Sequence, residues 1–361
     1  MRTSPNPDDL LTGPRGRRLL LELLLDDGAS YRPELEDLGA RDLAARLAPL
    51  PRPSLTESSL VRALSATVSH AMYWQDPDPL DAALSAPPVV DALRPAAEHV
   101  AASPLTAWWW SGLSPEQAHV AWVDDVGAAH DPAATEPPTF PNPGEALAAD
   151  AAERVALERD AAARPLPSDP AEDVSGPWWS APPRTLATTT RRLTGGAPVG
   201  LWCEEDGDSS LDAVVRSIRP PAGARLLEIA SAQDWADLCR RHPLTVTRST
   251  RHDWFATTGR DGAWVLPDWQ AVAADGVDAI HLSVAGYLTL AGRTIEVGDG
   301  AASVVAGWNP DEAFWLSDLA LPATDATAAD APCAATTAGT DGVAWRFTPD
   351  DHAGTWTPAS A

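Results

Sequence analysis

Residues 263–290 read AWVLPDWQAVAADGVDAIHLSVAGYLTL, and the fold class turns on this stretch. Ala263–Leu266 and Ala279–Val284 are apolar runs of strand length, flanked by turn-forming residues. Between them, Asp268–Ala274 predicts a helical turn or two. Tyr287–Leu290 reads as another short strand. Short strands alternating with short helices predict an α+β domain built on a small mixed or antiparallel sheet.

The pattern continues on both sides. Gly223–Ile229 reads as a strand after the Pro220-Pro221 turn, and Ser231 to Asp234 caps a short helix carrying Trp235 and Leu238. Thr294–Val297, Ser303–Ala306 and Phe314–Leu316 are further strand candidates. Upstream, residues 1–165 read as helices joined by Pro-rich loops. Ser54-Leu55-Thr56-Glu57 has the form of a capping box, and Ser114-Pro115-Glu116-Gln117 has the form of a helix start. Residues 166–183, rich in Pro and holding Trp178-Trp179, read as a linker. The expected division is a helical region at 1–165, this linker, an α+β domain at 184–321 and a tail at 322–361. Within the tail, 322–340 is Ala-, Thr- and Asp-rich and reads as disordered, while Val343–Phe347 reads as an added strand or a docking segment.

The chain has 361 residues with a net charge of −25, and all 26 of its basic side chains are arginine. Without lysine there is no Walker-type phosphate loop, no Schiff-base chemistry and no kinase of the usual pattern. The acidity disfavours nucleic acid as a partner. Cys203, Cys239 and Cys333 form no paired motif, so a reducing, cytoplasmic setting with inert thiols is expected. The apolar run Leu19–Leu25 is interrupted by Glu22 and is too short to cross a bilayer, so no membrane role is expected.

Charge is unevenly spread. Residues 1–180 hold 13 Arg and 28 acids, whereas residues 181–270 hold 11 of each. The stretch 240–260 carries Arg240, Arg241, His242, Arg248, Arg251, His252 and Arg260 against Asp253 alone. Guanidinium groups bind phosphates and carboxylates bidentately. Two readings follow: a ligand site, with Arg248, Arg251 and His252 on an anion and Trp254 stacking, or ion pairing to the acidic first half. Asp268, His281 and Tyr287 belong to runs dense in Trp, Gly and Pro. There they line a Trp-walled cleft in one reading and serve as caps and core in the other. Cys239 and His242 have metal-ligand spacing, but no second pair follows and two arginines lie between them, so no metal is expected.

Several pieces resemble an uncharacterised family of actinobacterial proteins. They include Arg251-His252-Asp253-Trp254, Pro267-Asp268-Trp269, Gly286-Tyr287-Leu288, Ala306-Gly307-Trp308 and, near the N-terminus, Gly13-Pro14-Arg15-Gly16-Arg17-Arg18-Leu19. That resemblance implies kinship and no activity. The order of strand, short helix and several short strands, with Arg248-Ser249-Thr250, is also similar in outline to ADP-ribosyltransferases. This second likeness implies NAD as ligand, with Arg248 or Arg251 on the pyrophosphate and Trp254 or Tyr287 stacking. It also asks for a catalytic glutamate. After Glu228 only Glu296 and Glu312 remain, and Glu296 is the candidate, with His281 beside it as a possible base. The leading expectation is a non-catalytic binding or regulatory protein. The alternative is an NAD-dependent transferase.

Overall fold

A computed structural model describes residues 5–25, 33–122, 140–206, 211–319, 343–348 and 354–358. The expected disorder at 322–340 lies outside these residues. Among them the helices run in order as α1 (Pro7–Thr12), α2 (Pro14–Leu25), α3 (Pro33–Glu36), α4 (Ala40–Leu47), α5 (Glu57–Ser69), α6 (Pro79–Leu84) and α7 (Pro87–Ala101). They continue as α8 (Pro143–Ala162), α9 (Ala232–Arg241), α10 (Arg251–Thr258), α11 (Trp269–Ala274) and α12 (Val284–Leu290). The first six strands are β1 (Gln117–Trp122), β2 (Thr188–Arg191), β3 (Asp212–Ile218), β4 (Leu226–Ile229), β5 (Pro243–Thr245) and β6 (Ala263–Pro267). The rest are β7 (Ala279–Leu282), β8 (Ile295–Gly298), β9 (Ala301–Ser303), β10 (Glu312–Trp315), β11 (Val343–Thr348) and β12 (Thr355–Pro358).

The fold is α+β. Eight strands form one sheet in the order β12-β11-β3-β1-β2-β10-β7-β4, and four form a second in the order β5-β6-β9-β8. The large sheet is antiparallel except for β4 beside β7. The small sheet is antiparallel except for β6 beside β9. Both sheets are therefore mixed, one of the two alternatives expected, and the larger has eight strands where a small sheet was expected. No helix among the described residues is long and apolar enough to cross a membrane.

Local chemistry explains most of the elements. Ser231 caps α9 by accepting from the Asp234 amide at 3.3 Å, and Asp268 caps α11 by accepting from the Ala271 amide at 3.1 Å. Val343–Thr348 joins the large sheet against β3, so the added strand is present. The strand expected at Ser303–Ala306 sits earlier, at Ala301–Ser303, and Val305 makes only an isolated bridge to Ala291.

Three expectations are corrected. Tyr287–Leu290 is helical, the second half of α12, because Ser283 accepts from the Gly286 amide and starts a helix there. That helix is buried on nearly every side, so it has no polar face whose period would announce it. Ser114 to Gln117 begins no helix. Gln117 opens β1, whose Ala118, Val120 and Trp122 alternate onto one apolar cluster with Trp345 and Trp356. The capping box lies two residues later than expected: Thr56 and Ser59 exchange side-chain and amide bonds at 2.9 and 3.0 Å.

Most of the indoles are core. Trp235, Trp269 and Trp308 meet one another with ring centroids 5.9–6.2 Å apart, and Trp308 meets Phe314 at 5.5 Å. Such pairs contribute about 0.5–1.5 kcal/mol each beyond the area they bury. One hydrophobic cluster runs from Leu10 to Leu316, through residues on both sides of 166–183. The helical half thus meets the sheets directly, with α1 and α2 packed on α12. Gly13 allows that approach, and Gly16 allows α2 to pack on α1. A Cβ on Gly13 would overlap the Leu288 carbonyl, and one on Gly16 the Leu10 carbonyl. Gly16→Ala is therefore expected to cost about 2–3 kcal/mol through overpacking against backbone. Chemical denaturation checks this, and an unchanged midpoint would contradict it.

Candidate functional site

The residues singled out in the sequence do not gather at one site. Arg240 pairs with Asp237 at 2.6 Å and His242 lies 3.3 Å from Asp275. The backbone amides of Arg248 and Ser249 donate to the Glu158 carboxylate at 2.9 and 2.8 Å, and the Arg248 guanidinium donates to the Arg164 carbonyl at 3.3 Å. Arg251 grips Asp261 through Nε and Nη2, both at 3.1 Å. Its Nη1 reaches Asp173 at 3.3 Å and the Pro167 carbonyl at 3.0 Å. Arg248 and Arg251 therefore tie α10 to residues 158–173. His252 has a buried Nδ1 with no hydrogen-bond partner. Trp254 is fully buried, donating Nε1–H to the Trp178 carbonyl at 2.8 Å, and offers no face for stacking.

The remaining candidates are equally dispersed. Asp268 is the α11 cap. Tyr287 is fully buried and donates its hydroxyl to Glu205 at 3.2 Å. Glu296 stands on β8 of the small sheet, 70% exposed, 3.6 Å from Arg260. His281 lies on β7 of the large sheet and is 1% exposed. Glu296 and His281 therefore sit on different sheets, one in solvent and one in the core.

His281 forms part of a buried charge chain. Its Nδ1 is 2.6 Å from Glu228, and its Nε2 is 3.5 Å from Asp311, within ion-pair range but unaligned for a hydrogen bond. Asp311 also accepts from the Arg191 Nε at 2.7 Å and the Arg191 amide at 2.8 Å. The Arg191 guanidinium lies 4.6 Å over the Trp108 ring, and Glu228 accepts from the Leu113 amide at 2.7 Å. The chain thus fastens the loop 108–113 to the sheet. Burial alone would lower the His281 pKa, but Asp311 and Glu228 overcome it and hold the imidazolium up to about 9.

An open cleft lies elsewhere in the fold. It is about 870 Å³ in volume and is walled by the start of α2, by the loop from His70 to Pro79, by the end of α10 and by Gly292–Thr294. Among the described residues Arg15, Arg17, Arg293 and His70 line it. Two of them face carboxylates. Arg15 bonds Asp81 and the Thr67 carbonyl, and His70 is 3.4 Å from Asp78. Arg17 and Arg293 have no carboxylate within ion-pair distance among the described residues. Arg17 Nη1 donates only to the Leu11 and Thr12 carbonyls at 2.9 and 2.8 Å, and the Nε atoms of Arg17 and Arg293 are buried without partners. Burial lowers the Arg17 pKa; Asp81 opposes this, while Arg15 and Arg293 add like-charge repulsion.

Behind the cleft wall lies a second unusual group. Tyr73, 4% exposed, packs its ring on Gly292 and has a hydroxyl with no partner. Glu205 is buried nearby, accepting from the Gly307 amide and from Tyr287. Burial pushes its carboxyl up to about 8, against the pull of that amide, Arg184, Tyr287 and Arg15. None of Arg17, His70, Tyr73, Glu205 and Arg293 was a sequence candidate. The available signal was Gly13-Pro14-Arg15-Gly16-Arg17-Arg18, where three arginines and two glycines crowd a helix start.

Two outcomes are expected from these geometries. Arg251→Ala removes charged hydrogen bonds to two carboxylates and lowers stability by about 1–3 kcal/mol in denaturant melts; full retention would remove its bridging role. His281 has a folded pKa above its unfolded value, so its stabilisation is complete below pH 6.5 and is lost as the pH rises through 9. Stability should fall across that window by on the order of 3 kcal/mol more in the parent than in His281→Gln. Parallel pH–stability curves for the two would refute this. No family model matches the chain, and neither a curated protein nor a solved structure is found to be similar to it.

Proposed function

We propose that this chain is a non-catalytic binding protein whose ligand is a phosphate-bearing small molecule, held in the cleft by Arg17 and Arg293. The carrying observation is that no carboxylate among the described residues lies within ion-pair distance of Arg17 or Arg293. Two neighbouring guanidinium groups, each partly withdrawn from water, repel one another, while Arg15 has the Asp81 carboxylate. Such an arrangement costs folding energy, and an anion bound between the groups offsets the cost. Guanidinium forks suit phosphate oxygens bidentately. Arg17 comes from the same Gly- and Arg-rich stretch that carries the likeness to the actinobacterial family.

The NAD-dependent transferase alternative has less support. It needs a glutamate beside the bound nucleotide, and among the described residues the carboxylates that line the cleft are Asp76, Asp78 and Asp81, with no glutamate. Glu296 faces Arg260 and solvent.

Millimolar pyrophosphate is expected to raise the melting temperature by at least about 2 °C, since a ligand that binds only the folded state stabilises it. Arg293→Met should abolish the shift while leaving the ligand-free melting temperature equal or higher, because a like-charge contact is relieved. A parent protein indifferent to pyrophosphate would sink the proposal. So would an Arg293→Met protein that melts lower yet still responds.

A further inference from the structure

We infer that the ligand of this cleft is a sugar phosphate or a related polyol phosphate rather than a nucleotide gripped by its base; the inference rests on the anion-binding reading above. Hydrogen-bond polarity carries it. The wall presents donors in the guanidinium N–H groups of Arg17 and Arg293. It also presents acceptors. The Thr12 hydroxyl donates to the Asp8 carbonyl at 2.7 Å, Ser85 to the Ala82 carbonyl at 2.6 Å and Thr257 to the Tyr73 carbonyl at 3.0 Å. A hydroxyl has one proton, so each of these has only lone pairs left for a ligand. Asp76 adds an exposed carboxylate with no ion-pair partner among the described residues. A matching ligand therefore carries an anionic group and several O–H donors.

The same wall gives a planar base little to hold. Among the described residues Tyr73 is the only phenol or indole ring that lines the cleft. It is nearly buried, edge-on to Trp178 at 6.4 Å and closed off by Gly292. His70 is engaged with Asp78. Trp74 is exposed, but it does not line the cleft. Stacking a base needs an open aromatic face, and none of the described residues brings one to this opening.

Isothermal titration of the full-length chain with inorganic phosphate, ribose 5-phosphate and AMP separates the possibilities, because the last two share a sugar and a phosphate and differ in the base. Ribose 5-phosphate is expected to bind at least about tenfold tighter than phosphate, as two or three added hydrogen bonds allow, and AMP no tighter than ribose 5-phosphate. Asp76→Ala is expected to weaken ribose 5-phosphate about fivefold while leaving phosphate unchanged or slightly tighter. Equal affinity for phosphate and ribose 5-phosphate would overturn the inference and leave the anion site standing, as would AMP binding about tenfold tighter than ribose 5-phosphate. A chain that takes up none of the three removes the anion reading itself.

Discussion

The buried ion cluster on α2 sets the position of everything around the cleft. Arg15 and Arg18 share Asp81, and Arg18 also holds Glu22 at 2.7 Å; all four side chains are at most about 5% exposed. Charges this deep are tolerated only when paired, and removing one partner typically costs about 3–5 kcal/mol. Residues 15, 18 and 22 fall on one stripe of the helix, so pairing them dictates how α2 is rotated. Arg17, off that stripe, is turned out toward the opening. A structural requirement of the core thereby leaves one arginine of the run without a carboxylate.

Three titratable groups are held away from their usual behaviour for different reasons. Glu205 is protonated more readily because burial outweighs its donors. His281 holds its proton because two carboxylates outweigh burial, and Asp311 stays ionised because His281 and Arg191 outweigh it. Such perturbations often mark active sites. Here the His281 chain pins a loop, and the open cleft lies against different residues. Geometry separates the two meanings of a shifted pKa.

Much of the small sheet and its neighbours was legible in the sequence, because Ala263–Leu266, Ala279–Leu282 and Ile295–Val297 are short apolar runs between clear turn residues. The caps at Ser231 and Asp268 were legible for the same local reason. Long-range pairing was not. Gln117–Trp122 is a strand only because β2 and β3 lie on either side of it, and Val284–Leu290 is a helix with no polar face to show its period. The site was hidden more completely. An arginine cluster at 240–260 looked like the outstanding charge feature, yet its main members are bonded to Asp237, Glu158, Asp173 and Asp261. Arg17 and Arg293 are isolated in their surroundings rather than in the sequence, and composition does not register the lack of a partner.

The position of β1 has a consequence for how the chain is made. Gln117 pairs with Arg191 on one side and Ile218 on the other. At about 5–20 residues per second, β1 waits several seconds after emerging from the ribosome before either neighbour exists. Through that interval its alternating apolar edge is exposed, and closing so long a loop is intrinsically slow. The central strand of the large sheet is thus the segment most in need of protection during synthesis, and the one through which a truncated chain would aggregate.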